Sequence, residues 1–412
     1  MKNIRKKLSL ASCTLLSGAP QAANAIDNAW DLDSSYLYYS EADDRVTVNK
    51  AIMKLSGDIT DDDRATATLV FDTMSGSTPS GTVRSKTSAI NSITNASGAS
   101  TNISGSTAPD KVEFRDTRLG FSFDWDHNQS RLLKVKYGGN ISVENDYQSF
   151  GASASISKDN ESRSLTYTAG IAGYFDKIFR KTGGTPEPLS NVEDDSSFSD
   201  GERVTYELLG GVTKVLNRKT LGQLNYSFSY ADGYLTDPYK VISQVELVTD
   251  SQTNSFAFSE LERYYEGRPS KRLRNSIYSA LVHQYGSNNQ VIHASYRLYW
   301  DDWDVVSHTL ELRHRNPLGN GQYIEPHVRY YTQTAANFFV HHLNNGEPLP
   351  QYASADYRLD AMKGMTIGIQ YGRPMGGGKF RARVEYINQQ FDQAEYNENL
   401  AYVFQISYQK QF

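Results

Sequence analysis

The sequence predicts an all-β fold: a single transmembrane antiparallel β-barrel of about sixteen strands (range about 14–18), with long extracellular loops and short periplasmic turns. Three observations predict it. First, the C-terminal segment alternates with a period of two: Leu400, Tyr402, Phe404, Ile406, Tyr408 and the terminal Phe412 fall on one side. Ala401, Gln405, Ser407, Gln409 and Gln411 fall on the other, and Val403 and Lys410 break the pattern. A strand written this way presents an apolar face to one medium and a polar face to another. Second, the chain opens as an export signal. Lys2, Arg5, Lys6 and Lys7 precede an apolar and small run over residues 8–19, and Ala23, Asn24 and Ala25 form a small-x-small cleavage site. Third, mean hydropathy is −0.57 and no apolar run approaches the ~20 residues of a membrane helix. Barrel strands escape that test, because each needs only ~9–11 residues and half of them face a polar interior.

Cleavage after Ala25 makes residues 1–25 a signal peptide and residues 26–412 one barrel domain. A competing reading takes Leu10, Ala11, Ser12 and Cys13 as a lipobox with Cys13 lipidated, but the apolar run before Cys13 is short for a signal core. Cleavage after Ala25 removes the only cysteine, so the mature chain has no disulfide. Its formal charge of −5 becomes −9 when the four positive residues of the leader are lost. That balance argues against nucleic acid as a partner. Tyrosine, 28 of 412 residues, suits an interface that is apolar on one side and wet on the other.

Taken in order, a first strand is expected around residues 33–41. Polar turns then fall at residues 60–63, 126–129, 158–161, 216–219, 286–289, 318–321 and 374–378, rich in the Asn, Asp and Gly that tolerate positive φ. The strands between them alternate. Leu119, Phe121, Phe123 and Trp125 interleave with Arg118, Gly120, Ser122 and Asp124; Ile292, Ala294, Tyr296, Leu298 and Trp300 interleave with His293, Ser295, Arg297 and Tyr299. Longer polar segments at 75–110, 176–201, 233–270 and 335–359 are the extracellular loops. The pattern does not set boundaries within 45–56, 138–147 and 354–363. Residues 75–110 carry too few apolar anchors to offset their ordering entropy. Residues 233–270 hold Tyr234, Leu235, Tyr239, Phe256, Phe258, Tyr264 and Tyr265, which predicts a loop packed over the mouth or into the lumen, with an extra hairpin near 241–248. A short helix is expected over residues 335–343.

If the apolar positions face lipid, their complements line the lumen. From His293 onward these are charged: Arg297, Asp301, Glu311, Arg313, Arg315, Glu325, His327, Arg329, Lys379, Arg381, Arg383 and Glu385, seven basic and four acidic beside the histidine. Earlier strands are expected to contribute mainly Thr, Ser, Gly, Asn and Gln, with Lys134 and Lys136 as exceptions. Charged rings set selectivity in pores, so this wall implies passage of anionic solutes. Equally, Arg and Glu on neighbouring strands can pair and fill the lumen. Asp301, Asp302 and Asp304 cluster on a tight loop near His308 but match no spaced calcium loop. His341 and His342 are expected to splay apart, a poor chelating pair. No GxSxG, HExxH or P-loop is present, so no catalytic residue, metal or cofactor is assigned. A loop-borne hydrolase site through His308 or Asp304 is the weaker alternative.

Asp232-Gly233-Tyr234-Leu235-Thr236-Asp237-Pro238-Tyr239-Lys240, then Tyr296-Arg297-Leu298-Tyr299-Trp300-Asp301-Asp302-Trp303 with Ser307-His308-Thr309, resemble a bacterial family described only as a domain of unknown function. Arg329-Tyr330-Tyr331-Thr332-Gln333-Thr334-Ala335-Ala336 and Ser354-Ala355-Asp356-Tyr357-Arg358-Leu359 continue the resemblance. It implies a Gram-negative outer-membrane protein with no known activity and carries over no functional residues. The expected partners are outer-membrane lipid, the barrel-insertion machinery reading the strand that ends in Phe412, and small solutes. The alternative function is a closed structural barrel, accessory to a periplasmic or lipoprotein system.

Overall fold

The computed structural model describes residues 30–43, 45–79, 81–82, 93–94, 100–101, 111–180, 183–194, 200–250, 255–393 and 397–412. The leader with Cys13, and most of the Ser/Thr-rich segment 75–110, lie outside the described residues. The strands are β1 (Trp30–Glu41), β2 (Val46–Asp58), β3 (Asp63–Pro79), β4 (Ile93–Thr94), β5 (Ser100–Thr101), β6 (Lys111–Ser130), β7 (Leu133–Val143), β8 (Tyr147–Asp159), β9 (Leu165–Ile178), β10 (Gly201–Asn217) and β11 (Thr220–Gly233). They continue with β12 (Val241–Asp250), β13 (Ser255–Tyr265), β14 (Lys271–Tyr285), β15 (Gln290–Asp301), β16 (Val306–Gly319), β17 (Gln322–Gln333), β18 (Leu343–Asn344), β19 (Met362–Met375), β20 (Gly378–Phe391) and β21 (Glu398–Gln411).

Sixteen of these close an antiparallel barrel in the order β1-β2-β3-β6-β7-β8-β9-β10-β11-β14-β15-β16-β17-β19-β20-β21. Strand β1 pairs β21 and shuts it. The seam ends on two backbone bonds, from the Trp30 amide to the Phe412 carbonyl at 2.8 Å and from the Phe412 amide to the Trp30 carbonyl at 3.0 Å. Closure leaves no edge strand unpaired, the requirement for a sheet surrounded by hydrocarbon.

Burial is inverted relative to a water-soluble protein. On β6, Leu119, Phe121, Phe123 and Trp125 are 43–54% exposed, whereas Arg118 and Asp124 are 3% and 5% exposed. The apolar side chains coat the outside and the charged ones fill the inside, which is stable only with lipid around the belt.

Seven tight turns join β2–β3, β6–β7, β8–β9, β10–β11, β14–β15, β16–β17 and β19–β20, at the end where the termini meet. Their backbones use the expected residue types: Asn289, Asn320, Gly321, Gly376 and Gly377 all have positive φ. The turn expected at 126–129 lies further along the chain. Asp126, His127 and Asn128 are paired with Lys136, Val135 and Lys134, and the chain reverses after Ser130. Polarity misled there because the membrane-distal end of a strand is polar on both faces. The first strand also starts earlier than expected, at Trp30, because it must meet Phe412.

At the opposite end the loops form a cap. Strands β13, β12 and β18 make a three-stranded sheet, so the expected extra hairpin is β12 against β13. Residues 335–343 are not helical. Their amides instead serve tertiary partners, Ala336 donating to the Leu359 carbonyl (2.8 Å) and Asn337 to that of Trp303 (3.0 Å). The buried apolar clusters among the described residues lie mainly in this cap: Trp303, Val305, Ala336, Phe338, Phe339 and Leu359 in one, Ile242, Leu343 and Ala353 in another. Among the described residues no helix is long and apolar enough to cross a membrane.

Candidate functional site: the lumen and its loop cap

Register places the charged positions of β15 to β20 on one lumen wall. Glu311 lies opposite Arg329, Arg313 opposite His327, and His327 and Glu385 both pair with Gly368 on the strand between them. The side chains join both along and across the strands. Arg313 meets Glu311 at 2.9 Å, Arg315 meets Glu325 at 2.8 Å, and Arg383 meets Glu385 at 3.3 Å. His327 bridges Glu385 (Nδ1, 2.8 Å) and Glu311 (Nε2, 3.5 Å). Arg381 reaches across the seam to Asp33 at 2.7 Å. Arg297, Arg315 and Arg329 lie over the rings of Tyr278, Tyr323 and Tyr331. Lys379 stands in register with Gln409 close to the turn end.

Gly368 is the residue that permits the histidine bridge. A Cβ there would lie 2.5 Å from Glu385 Cγ, so the missing side chain is the space through which Glu385 reaches over β19. Sequence reasoning passed over it as one small residue among many. Its place between two charged strands is what gives it meaning.

Asp301 is not free for a cation. It accepts from the Trp303 and Val305 amides at 3.0 Å each and from Arg272 Nε at 2.9 Å, holding the β15–β16 loop. Asp302 accepts from the Leu273 amide. His308 faces the other side of the wall and hydrogen-bonds Tyr296 at 2.7 Å. The loop therefore does not assemble Asp304 and His308 into one site. His341 and His342 do not splay: their rings meet edge to face with Nδ1 atoms 3.4 Å apart, because the chain there is neither helix nor strand.

The earlier strands do bring small polar residues inward, Ser122, Asn140, Ser142 and Ser149 among them, but they also carry inward charges beyond the expected Lys134 and Lys136. Arg118, Asp124, Asp176, Arg203 and Arg274 are buried and inward, on the same alternation that sends Leu119 and its neighbours out. All but Arg274 of these charges pair too: Arg203 clasps Asp176 and donates to Tyr147 at 2.9 Å. Arg118 lies 3.9 Å from Asp72 and 3.8 Å from Glu144. The spacing Arg268, Arg272, Arg274 was a legible signal of an inward basic stripe.

The cap closes over this lumen through buried charge. Arg268 bonds Glu266 at 2.6 Å and Asp356 at 2.9 Å; Arg358 bonds Asp356 at 2.7 Å and Asp237 at 3.2 Å. Lys240 donates to the Pro79 carbonyl, and Ser354 to Glu266. Burial would raise the Asp356 carboxyl, but Arg358, Lys240 and Arg268 hold it well below the usual range. Burial pushes Glu266 up despite Arg268, and pushes Lys240 down. Gln333 of β17 donates to the carbonyls of Arg358 and Asp360 at 3.0 and 2.7 Å, tying cap to wall. Gly233 lets the chain leave β11: its φ is +122°, and a Cβ would lie 2.2 Å from the Glu202 carbonyl oxygen.

Between cap and wall lies a cavity of about 130 Å³, lined by Arg118, Arg203, Arg268, Arg272, Arg274 and Trp303 among others. At the outer rim, Asp116, Glu144 and Asp146 bring carboxylate oxygens within 4.8 Å of one another, the grouping among the described residues that could hold a cation. Burial, then Asp116 and Glu144, push the Asp146 carboxyl up to about 6.

The family described as "Protein of unknown function (DUF3570)" matches residues 5–406. The chain belongs to the DUF3570 family. No curated protein matches its sequence. Solved structures similar to this DUF3570 member are outer-membrane proteins. The ferric enterobactin receptor PfeA of Pseudomonas aeruginosa is 8% identical with a TM-score of 0.43, over 90% of this chain and 54% of the receptor. The chain thus spans about half the length of that receptor. The toluene transporter TodX of Pseudomonas putida is 11% identical with a TM-score of 0.42, over 97% of this chain and 93% of the transporter. The Vibrio cholerae outer-membrane protein OmpT is 9% identical with a TM-score of 0.41, over 94% of this chain and all (100%) of that one.

Proposed function

We propose that this DUF3570 barrel is an outer-membrane passage for small solutes, capped by its own loops and favouring anions. The observation that supports it is a polar lumen that retains an open cavity beneath the cap, beside a wall with seven basic positions against four acidic. Pairing does not cancel that wall, because its basic positions outnumber its acidic ones. Arg297 lies on the Tyr278 face, where a guanidinium keeps its charge while its position is fixed. Lipid surrounds the apolar belt, and the strand ending in Phe412 is the segment offered to the insertion machinery.

Single-channel conductance of the refolded protein in a planar bilayer, with reversal potentials under a salt gradient, tests this. Wild type is expected to conduct with anion preference. Neutralising Arg313, Arg315 and Arg329 together frees Glu311 and Glu325 and is expected to move selectivity toward cations. Unchanged selectivity would remove the wall from the function.

A second reading is favoured by the buried charges of the cap. A lid pinned by Arg268 and Arg358 suits a barrel closed to solutes, whose loops dock a periplasmic or surface partner. A correctly inserted but silent barrel would support this reading over the first.

A further inference from the structure

Five arginines line the cavity between cap and wall, and four of them are matched to carboxylates. Arg118 faces Asp72 and Glu144, Arg203 faces Asp176, Arg268 faces Glu266 and Asp356, and Arg272 faces Asp301. Arg274 is different. It is 8% exposed, and among the described residues no carboxylate lies within ion-pair distance of it. Among the described residues it makes a neutral hydrogen bond, from a terminal guanidinium nitrogen to Ser229 Oγ at 2.9 Å, and its Nε finds no acceptor.

The reason is local. Asp301 stands directly opposite Arg274 in the β14–β15 register, but its oxygens are already taken by Arg272, Tyr299 and the amides of Trp303 and Val305. On the other side Ser229 intervenes between Arg274 and Glu207. Glu207, which accepts from Ser229, compensates the Arg274 charge only through that serine, and a bound anion would add a direct, bidentate contact. The cavity lining also offers Ala231, Leu235 and Trp303 as apolar surface, beside the carboxylates Asp124, Asp176 and Glu207. Since one water needs about 10–15 Å³, the cavity has room for roughly ten waters or one compact organic molecule.

We infer that the cavity is a binding site for a small organic carboxylate, its charge held by Arg274 and its apolar body against Leu235 and Trp303. The site refines the passage reading above by naming the class of solute, and Arg274 belongs to β14, outside the charged wall already described.

The test is calorimetric titration of benzoate into the full chain in detergent micelles, with benzamide as the neutral isostere. Benzoate is expected to bind, benzamide at least about tenfold more weakly, and Arg274→Met to weaken benzoate at least about tenfold. Arg163→Gln, at an exposed turn, controls for general loss of charge. Urea unfolding supplies a readout that a merely structural arginine would not give. Benzoate should raise the midpoint of wild type but not of Arg274→Met. Benzoate binding that is absent, equal to benzamide, or independent of Arg274 overturns the inference. A silent barrel that binds benzoate through Arg274 keeps this site and sinks the passage. An anion-selective barrel whose benzoate binding ignores Arg274 does the reverse.

Discussion

At the scale of single residues, the lumen is organised by what is missing as much as by what is charged. Gly368 leaves the gap that lets Glu385 meet His327. Gly368→Ala is expected to cost about 1–3 kcal/mol, by displacing Glu385 and stranding the imidazole. Gly210→Ala, where a Cβ would meet nothing within 4 Å, should change stability by less than about 0.5 kcal/mol. Urea midpoints in lipid vesicles compare the two, and equal effects would sink the role given to Gly368. Asp146 carries a pH consequence. Its folded value of about 6 exceeds the ordinary ~3.9, so the folded state binds the proton more tightly. Its stabilising contribution is full below about pH 4 and is lost as pH rises through about 6. Asp146→Asn should therefore add about 1–2 kcal/mol at pH 7 and little at pH 4. A variant whose gain is the same at both pH values would contradict the assignment.

At the scale of elements, the wall and the cap obey different rules. Wall strands follow a period of two that is visible in the sequence, and their turns use Asn and Gly at positive φ. The cap is held by contacts between loops distant in the chain, above all Arg268 with Glu266 and Asp356. That is why residues 335–343 misled. Ala336, Phe338 and Phe339 suggest a helix face, yet they are buried against Trp303 and Leu359, partners that sequence spacing does not reveal. Arg268→Met leaves the buried Glu266 without its cation and takes one of two arginines from Asp356, and is expected to weaken the cap by about 3–5 kcal/mol. Hydrogen exchange should show lost protection at residues 236–243 and 353–360 with the wall strands unchanged. Uniform loss across the wall would mean that the cap and barrel unfold as one unit.

At the scale of the whole molecule, the barrel closes where Trp30 and Phe412 exchange backbone bonds, and the Phe412 side chain stays 64% exposed. Phe412→Ala keeps those backbone bonds. It is expected to leave refolding into vesicles within about 0.5 kcal/mol of wild type, while lowering the amount assembled in cells. Equal losses in both settings would make Phe412 a structural residue and not a signal. By itself the sequence determined the barrel, a count of about sixteen strands, the alternation of the two faces and the turn end that shares the termini. It could do so because a membrane-spanning strand must alternate, and alternation survives without knowledge of neighbours. Only the tertiary structure decided which lumen charges neutralise one another, which contacts hold the loop cap together, and that Arg274 is the cavity arginine with no carboxylate at ion-pair distance among the described residues. Those outcomes depend on register and on loop-to-loop contacts, where a shift of one residue sends a side chain to the other face.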